Sequence, residues 1–239
     1  MNEVHARPEE RDYTRQDIVV AGVPMQADRS GALYWPGQSI LIVADMHLEK
    51  GSALAERGSF LPPYDTRTTL GRLARTIESY NPQTVVCLGD SLHDRRADAR
   101  LGEDDLEAIR RLQRSRDWYW VTGNHDPELP ASLGGEVASE LRIGRIRLTH
   151  EPAAGQLGRQ IAGHLHPAAR VARHGYVLRR PCFVADSRRL VMPAFGAYAG
   201  GLNILDEAFA PLFGETPYRV WVIGHEGIYP VATGQLRPD

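Results

Sequence analysis

Residues 84–94 read Thr-Val-Val-Cys-Leu-Gly-Asp-Ser-Leu-His-Asp, an apolar run that stops abruptly on a glycine, two carboxylates and an imidazole. The run Thr84–Leu88 has the length and composition of a strand buried on both faces. Its exit at Gly89, Asp90, His93 and Asp94 therefore puts polar groups at the carboxyl end of a sheet strand, where α/β proteins gather their ligands. Upstream, residues 39–45 read as a strand that ends in Ala44-Asp45-Met46-His47. Between the two, Leu70, Leu73, Ala74 and Ile77 recur at helical spacing over residues 64–80, and Asn81-Pro82 stops the pattern. The result is a strand–helix–strand unit.

Working downstream, the acidic start Glu103-Asp104-Asp105 and the apolar positions Leu106, Ile109 and Leu112 predict a second helix. It leads into a strand at 118–121 that ends at Gly123-Asn124-His125-Asp126. Before the first unit, residues 18–20 and 33–35 read as strands joined by turn-rich segments, an opening hairpin or meander. Beyond residue 136 short strands take over, at 145–149, 160–162, 169–173, 183–185, 190–192 and 219–223. Helices on one side of the chain and short strands on the other predict an α/β layered sandwich. Its 239 residues suit one domain over 1–239, with residues 1–17 as a frayed lead.

Composition narrows the setting. With 42% hydrophobic and 24% charged residues, the chain is that of a globular protein without a run long enough to span a membrane. The opening residues lack a secretory signal, and Cys87 and Cys182 form no CxxC pair, so a reducing cytoplasmic setting is expected. A net charge of −2 gives no reason for tight non-specific binding to nucleic acid. Any such binding has to be local.

Every predicted strand exit carries metal-ligand side chains: Asp45 and His47, Asp90, Asn124 and His125, His150 in LTHEP, and His164 with His166 in GHLHP. In Asp45-x-His47 and His164-x-His166, alternate residues of an extended segment would point to the same side. Gly89, Gly123 and Gly163 each precede a candidate ligand, where a missing Cβ allows close approach. Imidazole, carboxylate and amide donors without thiolate suit manganese, iron or zinc in an incompletely closed catalytic site. Two divalent cations held by two carboxylates leave a positive site, which attracts phosphate. A lone histidine at a strand end is more often a hydrogen-bonded surface residue, and GD or GN often marks a turn. Seven such positions in order make coincidence a poor account. His5, His174 and His225 fall outside the pattern.

As an ordered set, DxH, GDxxH, GNHD, H and GHxH resemble the blocks of the calcineurin-like metallophosphoesterases, with the match running from Asp45 to His166. The resemblance implies a four-layer sandwich, two mixed β-sheets flanked by helices, and two divalent metal ions bridged by Asp90. One ion would take Asp45, His47, Asp90 and His166, and the other Asp90, Asn124, His150 and His164. By the same likeness His125 is not a ligand but the general acid, protonating the leaving group while a metal-bound hydroxide attacks phosphorus in line. Many members carry aspartate three residues after the bridging one, to orient that histidine; here His93 stands there, with Asp94 one step later. A histidine at this place is similar to that of DNA-end-processing nucleases, where it lies beside the substrate phosphate, so His93 joins His125 as a catalytic candidate. Arg95 and Arg96 could touch a nucleic-acid backbone.

The stretches ADMHLEKG and MPAFGAYAGGLN, the second at residues 192–203, are similar to the bacterial ligase-associated DNA damage response endonucleases. That likeness implies manganese-dependent phosphodiester cleavage, DNA as substrate, and a DNA ligase, a helicase and an exonuclease of one repair cluster as partners. From its residues alone the second stretch is a tight glycine–alanine path in which Phe195 or Tyr198 could stack on a base, or a strand with a packed turn. A phosphomonoesterase or nucleotide hydrolase on the same scaffold is the alternative activity, and a non-catalytic interaction scaffold is the alternative class.

Overall fold

The computed structural model describes residues 13–59, 61–155, 158–173, 175–214 and 216–239. The first half builds a seven-stranded sheet whose spatial order is its chain order: β1 (Arg15–Val20), β2 (Val23–Asp28), β3 (Leu33–Trp35), β4 (Ile40–Ala44), β5 (Thr84–Leu88), β6 (Asp117–Val121) and β7 (Glu136–Ala138). β1 to β4 pair antiparallel and β4 to β7 parallel. The crossovers are helical, α1 (Lys50–Glu56) and α2 (Asp65–Tyr80) after β4, then α3 (Ala97–Arg100) and α4 (Glu103–Gln113) after β5. Parallel register sets Ala44 beside Leu88 and Leu88 beside Val121, so β4, β5 and β6 end level with one another.

The second half forms a nine-stranded mixed sheet. It contains β8 (Leu141–Ile143), β9 (Ile146–Thr149), β10 (Arg159–Ala162), β11 (Pro167–Arg173), β12 (Tyr176–Ala185), β13 (Arg189–Val191), β14 (Leu202–Asn203), β15 (Arg219–Ile223) and β16 (Ile228–Val231), with α5 (Ala210–Phe213) before β15. The order is β14-β11-β12-β13-β10-β9-β8, and β15 pairs with both β12 and β16.

Alternation explains why the central strands are buried throughout. Along β4, Ile40, Ile42 and Ala44 face the second sheet while Leu41 and Val43 face the helices, and β5 repeats this with Val86 and Leu88 against Val85 and Cys87. The helix-side layer is closed by Leu70, Leu73 and Ile77 of α2 and Ile109 of α4, each fully buried aliphatic contributing about 1.5–3 kcal/mol. Asn81, at φ 43°, ends α2 by donating its backbone N–H to the Ile77 carbonyl at 2.7 Å, as the stop signal predicts. On the far side of the second sheet, Cys182, Val184 and Val220 pack with Phe209, Leu212 and Phe213. Helices, sheet, sheet and a thinner outer layer make the four-layer sandwich. Both cysteines are free and buried, in different cores.

Three sequence expectations change. β1 begins at Arg15, so 15–17 are not frayed: Arg15, Gln16 and Asp17 pair in register with Asp28, Ala27 and Gln26, and an edge-strand ladder needs no apolar pattern of its own. Residues 1–12, including His5, lie outside the described residues. β2 was hidden inside turn-rich sequence, and β12 starts at Tyr176, seven residues before the apolar stretch that marks its buried end. Among the described residues, no helix is long and apolar enough to cross a membrane.

Candidate metal centre

The level ends of β4, β5 and β6 deliver Asp45, Asp90 and Asn124 to one place, and the turns after β9 and β10 bring His150, His164 and His166 to it from the second sheet. Five of the seven candidate ligands sit on left-handed backbone: Asp45 at φ 53°, His47 at 45°, Asp90 at 45°, His164 at 71° and His166 at 45°. Such conformations cost L-residues roughly 1–3 kcal/mol each and persist where the surroundings over-determine them. The two-residue spacing therefore does not work by an extended pleat, as the sequence suggests. Each ligand occupies a left-handed turn, and the intervening Met46 and Leu165 pack into the cores on either side.

Two sets of ligand atoms result, Asp45, His47 and His166 in one and Asp90, His150 and His164 in the other, each set lying within 4.8 Å. In the first, Asp45 Oδ1 is 3.3 Å from His166 Nε2, which is 3.2 Å from His47 Nε2. In the second, His150 Nε2 lies 3.4 Å from Asp90 Oδ1, 3.1 Å from His164 Nδ1 and 2.9 Å from Asn124 Oδ1. Asp90 spans the two, because its Oδ2 faces His47 Nε2 at 3.9 Å. All seven predicted ligands converge.

The donors fit divalent cations. Asp45 is fully buried, yet its Oδ1 has no hydrogen-bond partner, while its Oδ2 accepts the His164 backbone N–H at 2.9 Å. A bare buried carboxylate oxygen facing imidazole nitrogens is costly unless a cation answers it. Burial, and then the neighbouring His166, pushes His47 down to about 2, and burial with His150 beside it lowers His164. Neutral rings keep the lone pairs that a metal requires. His150 Nδ1 lies 3.1 Å from the Leu88 carbonyl, so donation there leaves Nε2 as the ligand atom.

The three motif glycines act as clearance. At Gly89, which also has φ 71°, a Cβ would collide with the His150 ring; at Gly123 it would strike Asp90, and at Gly163 the Asp45 carboxylate.

His125 and His93 stack beside this pair of sites, ring centroids 5.5 Å apart, and His93 and His125 also group with His47. His125 donates Nδ1–H to the His93 backbone carbonyl at 2.7 Å, which leaves Nε2 4.0 Å from Asp90 Oδ2 on a side chain 42% exposed. Burial, followed by the Lys50 ammonium, pushes His93 down to about 4. Asp94 does not orient His125. Its Oδ1 accepts from Arg100 at 2.8 Å and from the Arg96 backbone at 2.9 Å, while the Arg96 guanidinium pairs with Glu56.

Asp126 escapes sequence reasoning about function. It is 1% exposed, and its two oxygens accept three backbone N–H groups, Asp90 at 3.0 Å, Gly123 at 2.9 Å and Leu92 at 3.0 Å. Burial pushes it up to about 6, against the pull of those amides. The signal available was the aspartate following the GNH block. In MPAFGAYAGGLN, Phe195 is fully buried under the Arg72 guanidinium and its N–H joins the Ala44 carbonyl at 2.8 Å, so the packed-turn reading holds for it. Gly196 passes so close to the Met46 carbonyl that no Cβ fits.

A family model described as calcineurin-like phosphoesterase matches residues 38–170, which hold every ligand named above. The chain belongs to the calcineurin-like phosphoesterases. Its fold matches the crystal structure of Pseudomonas putida nuclease MPE with a TM-score of 0.71 at 30% identity, covering 91% of this chain and 100% of that one. Yfce, a phosphoesterase from E. coli, aligns at 16% identity and a TM-score of 0.42, over 81% of this chain and 98% of its own. No curated protein gives a sequence match. Membership makes the chain a metallophosphoesterase-fold hydrolase with candidate divalent-metal ligands.

Proposed function

We propose that the protein is a binuclear metal-dependent phosphodiesterase that cuts DNA, working in repair in the cytoplasm as one domain. The observation that carries this reading is Asp90, set between two groups of ligand atoms with His125 presenting its Nε2 alongside. One cation would be held by Asp45, His47, Asp90 and His166, the other by Asp90, Asn124, His150 and His164. Manganese is our assignment, and iron or zinc would accept the same donors. Bound there, such cations supply Lewis acidity to the phosphoryl oxygens and to water.

The chain's own groups do the rest. Asp126 fixes the loop that carries Asp90, and the clearances at Gly89, Gly123 and Gly163 let the ligands close in. With Nδ1–H engaged by the His93 carbonyl, a protonated His125 has Nε2–H free to reach a departing oxygen. The His93 ring, stacked on it, would lie against the phosphate. Support for a nucleic-acid substrate comes from the likeness to the Pseudomonas putida nuclease over that protein's whole length, and the choice of DNA rests on the resemblance of ADMHLEKG and MPAFGAYAGGLN to the DNA damage response endonucleases. A DNA ligase, a helicase and an exonuclease are the partners this role implies.

Metal analysis and a manganese-supplemented assay test the reading. Two metals per chain, preference for an aryl phosphodiester over its monoester, and cleavage of single-stranded, duplex or nicked DNA are expected. Preference for the monoester, or no bound metal, would overturn it.

A further inference from the structure

A chain of formal charge −2 has to draw a phosphate polymer to one part of its surface. Residues 152–185 provide such a part: they contain no aspartate or glutamate and five arginines, Arg159, Arg170, Arg173, Arg179 and Arg180. Four of these belong to β11 and β12, an antiparallel hairpin that leaves the metal centre directly after His166. Its register pairs Ala168 with Pro181, Ala169 with Arg180 and Arg170 with Arg179.

At the base of the hairpin lies a cleft of about 140 Å³ lined by His166, Ala168, Arg179, Arg180, Ala199 and Gly201. One wall is a metal-ligand candidate and the other carries guanidinium groups. Arg179 is engaged, donating to the Gly201 carbonyl at 2.6 Å and pairing with Asp239 at 3.2 Å. Arg180 is exposed and, among the described residues, pairs with no carboxylate; it reaches the Arg179 carbonyl at 3.5 Å. Towards the tip stands Tyr176, 76% exposed, opposite Arg173 in the ladder. At 3.3 Å per residue, Arg180 lies about 10 Å and Tyr176 about 23 Å along the arm from His166.

We infer that the β11–β12 hairpin is an arm that holds a nucleic-acid strand leading away from the metal centre, Arg180 pairing with a backbone phosphate at the cleft and Tyr176 stacking on an unpaired base. This rests on the nuclease reading and names the surface it needs. An exposed guanidinium that no described carboxylate neutralises, close to the reacting centre, gives charge complementarity, and an exposed ring further out gives a sequence-tolerant platform.

The test is fluorescence anisotropy of a labelled oligothymidylate with the full chain in EDTA, across a salt series, with thermal melts to show that each variant folds. For single strands the slope of log K against log salt is about −0.7 per phosphate contact. Arg180→Ala should weaken binding and shrink that slope by about 0.7, Arg180→Glu should weaken it further, and Arg180→Lys should restore the slope. Tyr176→Ala should weaken binding about five- to a hundredfold at unchanged slope. An unchanged slope in folded Arg180→Ala and Arg180→Glu overturns the arm, even where wild type cleaves DNA. Tyr176→Ala that binds DNA normally but changes the oligomeric state in sedimentation makes the tip a protein interface and also overturns it. Wild type that hydrolyses an aryl diester yet neither binds nor cuts DNA removes the nuclease reading itself.

Discussion

Replacing Asp126 separates a residue that builds the site from those that hold metal. Its carboxylate takes the backbone N–H groups of Asp90, Gly123 and Leu92 in a place 1% exposed to solvent. Asp126→Ala strands three buried donors at about 1–3 kcal/mol each, or roughly 3–9 kcal/mol, against a total stability of about 5–15 kcal/mol for an ordinary domain. That variant should barely fold. Asp126→Asn keeps one oxygen for Asp90 and Gly123 but turns an amide N–H toward Leu92 N–H, stranding one donor, so about 1–3 kcal/mol is lost. Urea unfolding in EDTA, with a slope of about 3 kcal/mol per molar for a chain of this size, should show the midpoint fall by about 0.3–1 M. Because Asp126 also fixes the left-handed Asp90, metal affinity should drop about 10- to 100-fold, the usual cost of removing such a support. An Asn variant with a wild-type midpoint and wild-type metal titration would refute the reasoning, since among the described residues Leu92 N–H has Asp126 as its partner and no second acceptor.

The remaining perturbations divide by the step they touch. His125→Ala should keep both metals while DNA cleavage falls about 10²–10⁴-fold, with activated aryl diesters, which need little protonation, suffering much less; equal losses on both substrates would remove the acid role. His93→Ala should slow diester turnover and leave metal content intact, whereas a metal-free variant would make it a ligand. Gly163→Ala drives a Cβ into the Asp45 carboxylate, so it should cost about 1–3 kcal/mol and weaken metal binding together, read by melting with and without manganese; a variant that melts and binds like wild type would show that the carboxylate can retreat.

The legible part of the site was its chemistry. Asp45, His47, Asp90, Asn124, His150, His164 and His166 announce themselves because carboxylate, amide and imidazole recur at successive strand exits, and burial on both faces makes Thr84–Leu88 plain. What stayed hidden depends on backbone geometry or on burial without an apolar pattern. The outer part of β12 is hard to read because its short apolar run Tyr176-Val177-Leu178 is cut off from the buried end by Arg179-Arg180-Pro181, and arginines with a proline break a strand pattern. The start of β1 is hidden differently, since Arg15-Gln16-Asp17 is polar and carries no apolar alternation. Asp126 resembles any loop aspartate until three amides are found pointing at it.

The left-handed turns were the least legible feature and the one on which the site's dimensions depend. In a pleated strand, residues i and i+2 share a face but stand about 6.6 Å apart, a poor spacing for two side chains that must meet a third on one cation. At positive φ, Asp45 and His47 instead curl inward, and with His166 their ligand atoms come within 4.8 Å. The strain is carried by contacts that no motif records. Among them are the Asp45 N–H to the Gly89 carbonyl at 3.3 Å, the His47 N–H to the Asp90 carbonyl at 2.8 Å and the Gly196 N–H to the Asp45 carbonyl at 3.1 Å. Each ties one motif loop to another. Loosening any loop therefore relaxes its neighbours toward ordinary backbone and opens the ligand spacing, which couples metal affinity to residues that never touch a metal.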